Sequence, residues 1–368
     1  MNLRTALRVI MLMALAATRA AAAQGETLER IADRVAATHM AAKKIPGLSI
    51  AVVHRDELAF AGGYGRASIE FDLAAGPDTV YPISSVSKIF AGIVAVRLAA
   101  GGQLELDAPI GDFLPDVPAD KQGITLRHLL QHTHGLDDFY LSDEFQRESG
   151  QSIDEAATEE PIRWSLNRPL RFAPGGDWSY SLAGYVLLGH ILEILSGESY
   201  VTLVEQLVLA PLGMQAYFGG SETVVEGRNP VLYELEHDAV VGHVVDFDRK
   251  VWPAGGVNLS VSELAKLFIA LDGEVFLSER DKQELWGTAS LPGGRDSGYG
   301  LGWSSYITSQ DRHVVGHEGG GASWVIYYPE RRLAVIALSN MSGAKSDILP
   351  YEIARAAFDA GLIPDRDL

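Results

Sequence analysis

The sequence predicts a two-subdomain α/β fold of the α+β type, in which an antiparallel sheet flanked by helices lies beside a mainly helical insert. Apolar runs with strand-like spacing occur near both ends of the chain, and helical spacing dominates the middle. A length of 368 residues, 47% of them hydrophobic, suffices for two subdomains. We therefore expect one domain over 24–368, with its sheet formed by 24–100 and 297–368 and its helical insert by 101–296.

The first residues of this domain predict a helix followed by a hairpin. Apolar residues recur at near-helical spacing over Thr27–Met40. Leu48–Val53 and Leu58–Phe60 are short apolar runs joined by His54–Glu57, an arrangement typical of a hairpin. Glycines follow at positions 62, 63 and 65, and we expect the chain to turn there.

A second helix, Ser84–Ala100, is rich in alanine and ends at a pair of glycines. Lys88 and Arg97 are its only charged residues, so we expect it to be buried on most of its sides. The same patterns predict the remaining elements. We expect helices at Leu126–Gln131, Ser152–Leu166, Ala183–Leu195 and Asp347–Phe358, and strands at Tyr299–Ile307, His313–Gly316, Ser323–Tyr328 and Leu333–Leu338.

Residues 1–23 have the composition of a secretory signal peptide. Arg4 and Arg8 give a positive start, Val9–Ala17 is an uninterrupted apolar run, and Ala21–Ala23 supplies small residues for cleavage. The apolar run is shorter than the roughly 20 residues that a membrane span needs. We therefore expect export to the periplasm or the medium, cleavage before Gln24, and no membrane span in the mature chain.

The overall composition excludes several classes of function. A net charge of −18 disfavours nucleic acid as a partner, because the protein and the phosphate backbone repel each other. The chain has no cysteine, which excludes disulfides, thiol catalysis and cysteine-based zinc sites. We expect a small-molecule substrate and no cofactor.

Ser85 and Lys88 form a candidate nucleophile and base. Residues three apart on a helix lie on one face, and a lysine inside an apolar helix is desolvated, which lowers the pKa of its amine. A neutral amine beside Ser85 can take the hydroxyl proton and make the oxygen nucleophilic. Ser342–Lys345 has the same spacing, but Ser342 precedes a glycine in a predicted loop. The chain has no Gly-x-Ser-x-Gly sequence, which argues against an α/β-hydrolase.

Four further segments carry short motifs of polar residues and glycine. Together with Tyr81–Lys88, in chain order, these are Leu129–Leu136 (Leu-Leu-Gln-His-Thr-His-Gly-Leu), Phe172–Gly175 with Tyr180–Tyr185, Pro253–Gly256 and Gly316–Gly320. The set resembles the motifs of the serine β-lactamase and penicillin-binding-protein superfamily over roughly 45–345. The closest likeness is to the class C-like branch, which also holds D-peptidases and esterases. The resemblance implies a β-lactamase/transpeptidase-like fold.

The resemblance also implies a role for each matching residue. Ser85 would be the nucleophile, Lys88 the group that exchanges its proton, and Tyr180 the shared acid and base. The backbone N–H groups of Ser85 and Gly320 would form the oxyanion hole, and no metal would be needed. The substrate-binding positions would be His317, Gly319 and Leu182.

Two positions depart from the family's pattern. Leu182 stands where the second motif has an asparagine that holds the substrate amide. Glu318 stands where the third motif has threonine or serine, in a site that receives the substrate carboxylate. Both changes favour short esters, amides or D-peptides over β-lactams, so we expect weak or no β-lactamase activity. Ser165-Leu166-Asn167 also fits the second motif but lacks the flanking glycine turn.

These observations predict an exported serine hydrolase of the esterase or peptidase type, which acts through an acyl-enzyme on Ser85. Two alternatives remain open. One is an acyltransferase that uses the same residues with an alcohol as acceptor, and the other is a catalytically inactive binding protein of the same fold. The intact set of Ser85, Lys88 and Tyr180 argues against the inactive protein. The acyl group, the leaving group and the oligomeric state stay open.

Other polar residues near these motifs receive structural interpretations. His128, His132 and His134 lie close together, but they lack the Asp and final His of a binuclear zinc hydrolase pattern. We expect them to brace a loop through hydrogen bonds. We expect the acidic loop Asp137–Asp143 to be solvated surface.

Overall fold

A computed structural model describes residues 25–140, 143–153, 155–220, 229–245 and 248–364. The signal peptide predicted at 1–23 lies outside the described residues. The α-helices are α1 Leu28–Lys43, α2 Lys88–Ala100, α3 Leu126–Leu130, α4 Glu144–Ser149, α5 Glu159–Leu166, α6 Leu182–Ser196, α7 Tyr200–Val204, α8 Ala210–Leu212, α9 Trp252–Gly255, α10 Val261–Asp272, α11 Glu279–Trp286 and α12 Leu349–Asp359.

Short strands and helical turns complete the described chain. The strands are β1 Gly47–His54, β2 Glu57–Ser68, β3 Leu73–Ala74, β4 Tyr81–Pro82, β5 Tyr217–Phe218, β6 Leu232–Glu236, β7 Ala239–His243, β8 Val257–Leu259, β9 Ser290–Leu291, β10 Arg295–Asp296, β11 Ser304–Ile307, β12 His313–Gly319, β13 Ser323–Tyr328 and β14 Leu333–Ser339. The 3-10 turns are Ser84–Ser87, Ile110–Asp112, Ala119–Lys121, Arg249–Val251 and Pro329–Arg331, and a π-helical turn, Glu205–Leu209, joins α7 to α8.

The largest sheet has seven antiparallel strands in the order β11-β12-β13-β14-β1-β2-β3. The N-terminal strand β1 lies between its hairpin partner β2 and the C-terminal strand β14. Ile50 on β1, for example, lies opposite Gly62 on one side and Ala337 on the other. The predicted antiparallel sheet, built from both ends of the chain, is therefore confirmed.

Helices cover both faces of this sheet. Every residue of β14 is buried, as expected of a central strand with no face open to water. On one face, Ile50 joins a core that includes Ile31 of α1 and Ile353 of α12. On the other face, Val53 joins a second core with Phe268 of α10. Because α10 lies within 101–296, the stretch predicted as a helical insert also covers part of the sheet.

The stretch 101–296 is mainly helical, with six short strands, β5 to β10, among its described residues. Its helices pack around α2, which is buried along nearly its whole length, as expected from its composition. Gly92 allows this close packing, since a Cβ there would lie 1.9 Å from the carbonyl oxygen of Leu301. The site residues at the start of α2 are thus held in the centre of the molecule.

Two predicted elements are shorter in the structure. The helix predicted at Ser152–Leu166 begins only at Glu159. Pro161 then lies in the first turn, where a backbone N–H has no acceptor within the helix, so proline loses no hydrogen bond there. In a helix that began at Ser152, the proline ring would clash with the preceding turn. The strand predicted at Tyr299–Ile307 begins at Ser304, because Gly302 has a positive φ of 86° and packs against the Lys88 carbonyl.

The turn predicted at the glycines after Phe60 is wrong. Strand β2 continues through them to Ser68. A Cβ on Gly63 would lie 2.2 Å from the carbonyl oxygen of Ala75, so close backbone packing is what this glycine permits.

Within the described residues, no single helix is long and apolar enough to cross a membrane. The segments Leu182–Ser196 and Tyr200–Leu212 together have the length and composition of a membrane span, but the chain is bent by 80° between them.

We expect Asn340→Ala to lower the free energy of unfolding by about 2–4 kcal/mol, as measured by urea denaturation. The buried Asn340 side chain accepts from the Gly47 N–H at 2.7 Å and donates to the Arg66 and Ala67 carbonyls, so it ties β14 to β1 and β2. The exposed Gln103→Ala is the control, with an expected change within about 0.5 kcal/mol. Equal stability of the two variants would contradict this role.

Candidate active site

Ser85 lies in the 3-10 turn Ser84–Ser87, immediately before α2. The predicted helix Ser84–Ala100 therefore divides into a tight turn and an α-helix that begins at Lys88. Ser84 has a φ of +47°, a conformation that non-glycine residues seldom adopt. The Ser87 hydroxyl accepts a hydrogen bond from the Val257 N–H at 3.0 Å. This strained turn is thus anchored to β8, and it presents Ser85 at its outer edge.

Lys88 contacts Ser85 from the buried side. Its Nζ lies 3.2 Å from Ser85 Oγ and donates to the Ala254 carbonyl oxygen at 2.7 Å. The side chain is fully buried and forms no salt bridge with another described residue. Burial lowers the pKa of Lys88 to about 7, against the opposing field of Asp138. A large fraction of the amine is therefore neutral near pH 7 and able to accept a proton.

Tyr180 packs over the same amine. The Lys88 Nζ lies 4.9 Å from the centre of the Tyr180 ring. The Tyr180 hydroxyl is buried and has no hydrogen-bond partner among the described residues. Burial raises the pKa of this phenol above its usual range, although Ser85 lies close enough to oppose the increase. Tyr180 is therefore protonated at neutral pH and available as a proton donor.

The end of β12 closes the other side of Ser85. A Cβ on Gly319 would lie 2.2 Å from the Ile83 carbonyl oxygen, so only glycine lets this strand approach the turn that carries Ser85. Gly320 follows with a φ of +57°. Ser85 and Gly320 both line one cavity of about 680 Å³. Both predicted oxyanion-hole residues therefore face the same space.

His317 has a defined tautomer in this cavity. Its Nδ1 lies against the Glu318 carbonyl, which can only accept, so Nδ1 carries the proton. Its Nε2 then accepts from the Tyr299 hydroxyl at 2.7 Å. Burial lowers the pKa of His317 to about 3, and the charge of Lys88 adds to this effect. The imidazole is neutral at ordinary pH, and it carries no positive charge for an anionic substrate group.

Leu182 lies away from this cavity. It is the first residue of α6, and its N–H donates to Asp138 Oδ2 at 2.7 Å. It is not among the cavity-lining residues. The structure thus brings together Ser85, Lys88 and Tyr180 with the residues at the end of β12, but not Leu182.

Asp138 is a site residue that the sequence reasoning missed. We expected the acidic loop Asp137–Asp143 to be solvated, but Asp138 is only 4% exposed. Its carboxylate accepts from the Ser181 hydroxyl at 2.7 Å and from the N–H groups of Leu182 and Ala183. It therefore caps the start of α6, directly after Tyr180. No local signal distinguishes it from Asp137, which pairs instead with Arg168.

His128, His132 and His134 each accept a hydrogen bond from a backbone N–H group. His132 accepts from the Ser181 N–H, His134 from the Leu136 N–H and His128 from the Thr125 N–H, in each case through Nδ1. These contacts agree with the predicted bracing role. No group of three or more potential metal ligands occurs in the part of the chain that the structure describes.

The two alternative serine motifs, at Ser165 and Ser342, lie outside the cavity that contains Ser85. Ser165 is buried on α5, and its hydroxyl donates to the Asp137 carbonyl. Ser342 lies in the loop after β14, where its N–H donates to the Tyr233 carbonyl. Neither serine lines the cavity that contains Ser85.

Comparison with known proteins places this architecture in a family. The family model described as "Beta-lactamase" matches residues 32–358. Penicillin-binding protein 4* of Bacillus subtilis is 28% identical in an alignment 322 residues long, which covers 81% of this chain and 68% of that protein. The chain is shorter than the first curated relatives that it matches and spans 60–68% of their length.

Solved structures show the same fold. The octameric penicillin-binding protein homologue from Pyrococcus abyssi superposes with a TM-score of 0.77 at 26% identity, covering 93% of this chain and 79% of its own. EstCE1, a hydrolase with promiscuous acyltransferase activity, gives 0.77 at 21% identity, covering 90% of this chain and 98% of its own. The relatives are of the serine-hydrolase type, and the predicted resemblance is confirmed. The chain belongs to the β-lactamase family.

Proposed function

We propose that this chain is a serine hydrolase that acts on short esters or amides, including D-peptides, through an acyl-enzyme on Ser85. The observation that carries the proposal is the 3.2 Å contact between Ser85 Oγ and the buried amine of Lys88. A neutral amine in that position is a base within reach of the hydroxyl proton.

The proposed reaction proceeds in two halves. Neutral Lys88 takes the proton of Ser85 Oγ as the oxygen attacks the carbonyl carbon of the substrate. The oxyanion forms beside the backbone N–H groups of Ser85 and Gly320. Tyr180 delivers a proton to the leaving group and recovers one from Lys88. Water then attacks the acyl-enzyme by the same steps in reverse, which restores the Ser85 hydroxyl.

The cavity walls support an ester or amide rather than a β-lactam substrate. The neutral His317 and the carboxylate of Glu318 both line the cavity, at the position where a carboxylate-bearing substrate would need a cation. No asparagine side chain follows Tyr180, since Leu182 occupies that place and turns away. We therefore propose weak or no β-lactamase activity.

Transfer of the acyl group to an alcohol is the second candidate function. A neighbour of the same fold is described as having promiscuous acyltransferase activity. The cavity of this chain has an apolar, aromatic wall that includes Trp178 and Tyr299, which suits an alcohol as acceptor. Product analysis with added alcohol separates the two outcomes.

We also propose that the protein is exported and that residues 1–23 are removed. This proposal rests on the sequence of that segment. N-terminal sequencing of protein recovered from the periplasm tests it: Gln24 as the first residue would support it, and an intact Met1 would contradict it.

We expect Ser85→Ala to lower kcat/KM for p-nitrophenyl butyrate by about 10³-fold or more and to abolish labelling by a fluorophosphonate. The reason is that the variant removes the oxygen that forms the acyl-enzyme. The matched control is Ser342→Ala, which alters the other Ser-x-x-Lys pair and should leave both readouts unchanged. Undiminished turnover and labelling in Ser85→Ala would remove Ser85 from the chemistry.

We expect kcat/KM to rise with pH through an apparent pKa of about 7, because the neutral form of Lys88 is the active one. Asp138 favours the charged form of Lys88, so Asp138→Asn should lower the pKa of Lys88. The rising limb of the pH profile of kcat/KM should then move to lower pH by about 0.5–1 pH unit. Asp137→Asn is the matched control and should leave the limb in place. A limb that stays fixed, or moves to higher pH, in Asp138→Asn would contradict the assignment.

A further inference from the structure

The cavity that contains Ser85 carries two carboxylates that the proposed reaction does not use. Glu318 lies on β12, between His317 and Gly319, and Asp347 lies just before α12. Both line the cavity together with Ser85 and Tyr180. Neither forms a salt bridge with another described residue, whereas Asp137, Glu263 and Glu279 each do. The pair therefore presents negative charge to whatever enters, without a salt-bridge partner among the described residues.

The two carboxylates are held on the same wall. Glu318 lies directly across the strand pair from Trp324 on β13. The Trp324 indole N–H donates to Asp347 Oδ1 at 3.1 Å and fixes that carboxylate beside the strand. Burial raises the pKa of Glu318, and the field of Asp347 adds to this effect. A cation that enters beside two carboxylates favours the charged form of each.

The nearest cation does not remove this charge. Lys345 lowers the pKa of Glu318, in the opposite sense to Asp347. All three side chains are exposed to solvent, but only the two carboxylates are among the residues that line the cavity. The backbone N–H of Lys345 donates to the Gly321 carbonyl at 3.0 Å, which fixes the backbone of this residue beside the glycine turn. The cavity itself therefore keeps a negative wall.

A second feature of the same cavity indicates a ligand. The Tyr180 hydroxyl is almost wholly buried, lines the cavity and has no hydrogen-bond partner among the described residues. Buried polar groups are nearly always paired, so this hydroxyl, which lies close to Ser85, is expected to meet a polar group of the molecule that reacts there. Aromatic rings complete the wall, namely Trp178, Tyr299, Trp324 and Tyr351. Ring faces attract organic cations, as carboxylates do.

We propose that this site selects esters or amides that carry a cationic amine, protonated or quaternary, which lies between Glu318 and Asp347 while Ser85 reacts with the acyl carbon. The proposal rests on the proposed function, since Ser85 performs the acyl transfer and the carboxylate pair selects the molecule. The cation takes part in no bond change. A substrate carboxylate at this wall is repelled, so the same pair disfavours substrates whose carboxylate would lie there.

The test compares substrates that differ only in charge. In the first pair the charge is in the acyl group: p-nitrophenyl 4-(trimethylammonio)butyrate against p-nitrophenyl 5,5-dimethylhexanoate, in which carbon replaces nitrogen. In the second pair the charge is in the leaving group: butyrylcholine against 3,3-dimethylbutyl butyrate. We expect the cationic member of at least one pair to have a kcat/KM about 5- to 10-fold higher, and the pair that responds identifies the half of the substrate that faces the carboxylates.

Three variants assign the preference to these residues. Glu318→Gln and Asp347→Asn should each reduce the ratio of the cationic to the neutral kcat/KM by about threefold or more. The ratio is the readout because a change common to both members of a pair cancels in it. Glu57→Gln, in the distant β1–β2 hairpin, removes the same charge from the molecule and should leave the preference unchanged. This control separates the carboxylate pair from the general attraction of a chain with net charge −18.

Two outcomes would overturn the proposal: neutral members that react as well as the cationic ones in both pairs, or a preference that survives both cavity substitutions. Failure of the proposed function itself looks different. In that case no substrate of either pair is turned over in a manner that depends on Ser85.

Discussion

The site depends on the burial of one lysine. Lys88 begins a helix that is surrounded by apolar residues. Among the described residues, its amine has the Ala254 carbonyl and the Ser85 hydroxyl as its hydrogen-bond partners. A charged ammonium there loses its hydration without gaining a contacting carboxylate. The fold therefore favours the neutral amine, and a neutral amine next to a hydroxyl is what acyl-enzyme chemistry needs.

The surrounding elements serve to keep that amine dry and correctly placed. Gly92 and Gly302 let neighbouring backbone pack directly on α2, and Gly319 lets β12 close over the turn that holds Ser85. On the opposite side, Asp138 fixes the start of α6, while the buried ring of His132 lies 4.5 Å from that of Tyr180. Asp138 also moderates the pKa of Lys88 from a distance. One carboxylate thus contributes both to the position of Tyr180 and to the basicity of Lys88.

Features encoded by local pattern could be predicted from the sequence, and features created by tertiary contact could not. The hairpin β1–β2 and the buried helix α2 follow from apolar spacing, and the Ser85–Lys88 contact follows from helical geometry. The glycines of β2 were misinterpreted because the reason for Gly63 is the carbonyl of Ala75, which is remote from any turn signal. Asp138 was missed because its partners at the start of α6 lie more than 40 residues away. The family motifs located Tyr180 and the end of β12, which spacing alone would not have connected to Ser85.

The most direct test of this account is the pKa of Lys88 itself. Protein labelled with [ε-¹³C]lysine can be followed by NMR as a function of pH, with the Lys88 resonance assigned by its loss in Lys88→Gln. We expect one lysine that titrates near pH 7, well below the value of about 10.4 for an unperturbed lysine, together with a rise in activity over the same range. A Lys88 resonance that titrates with the exposed lysines, near pH 10, would contradict it.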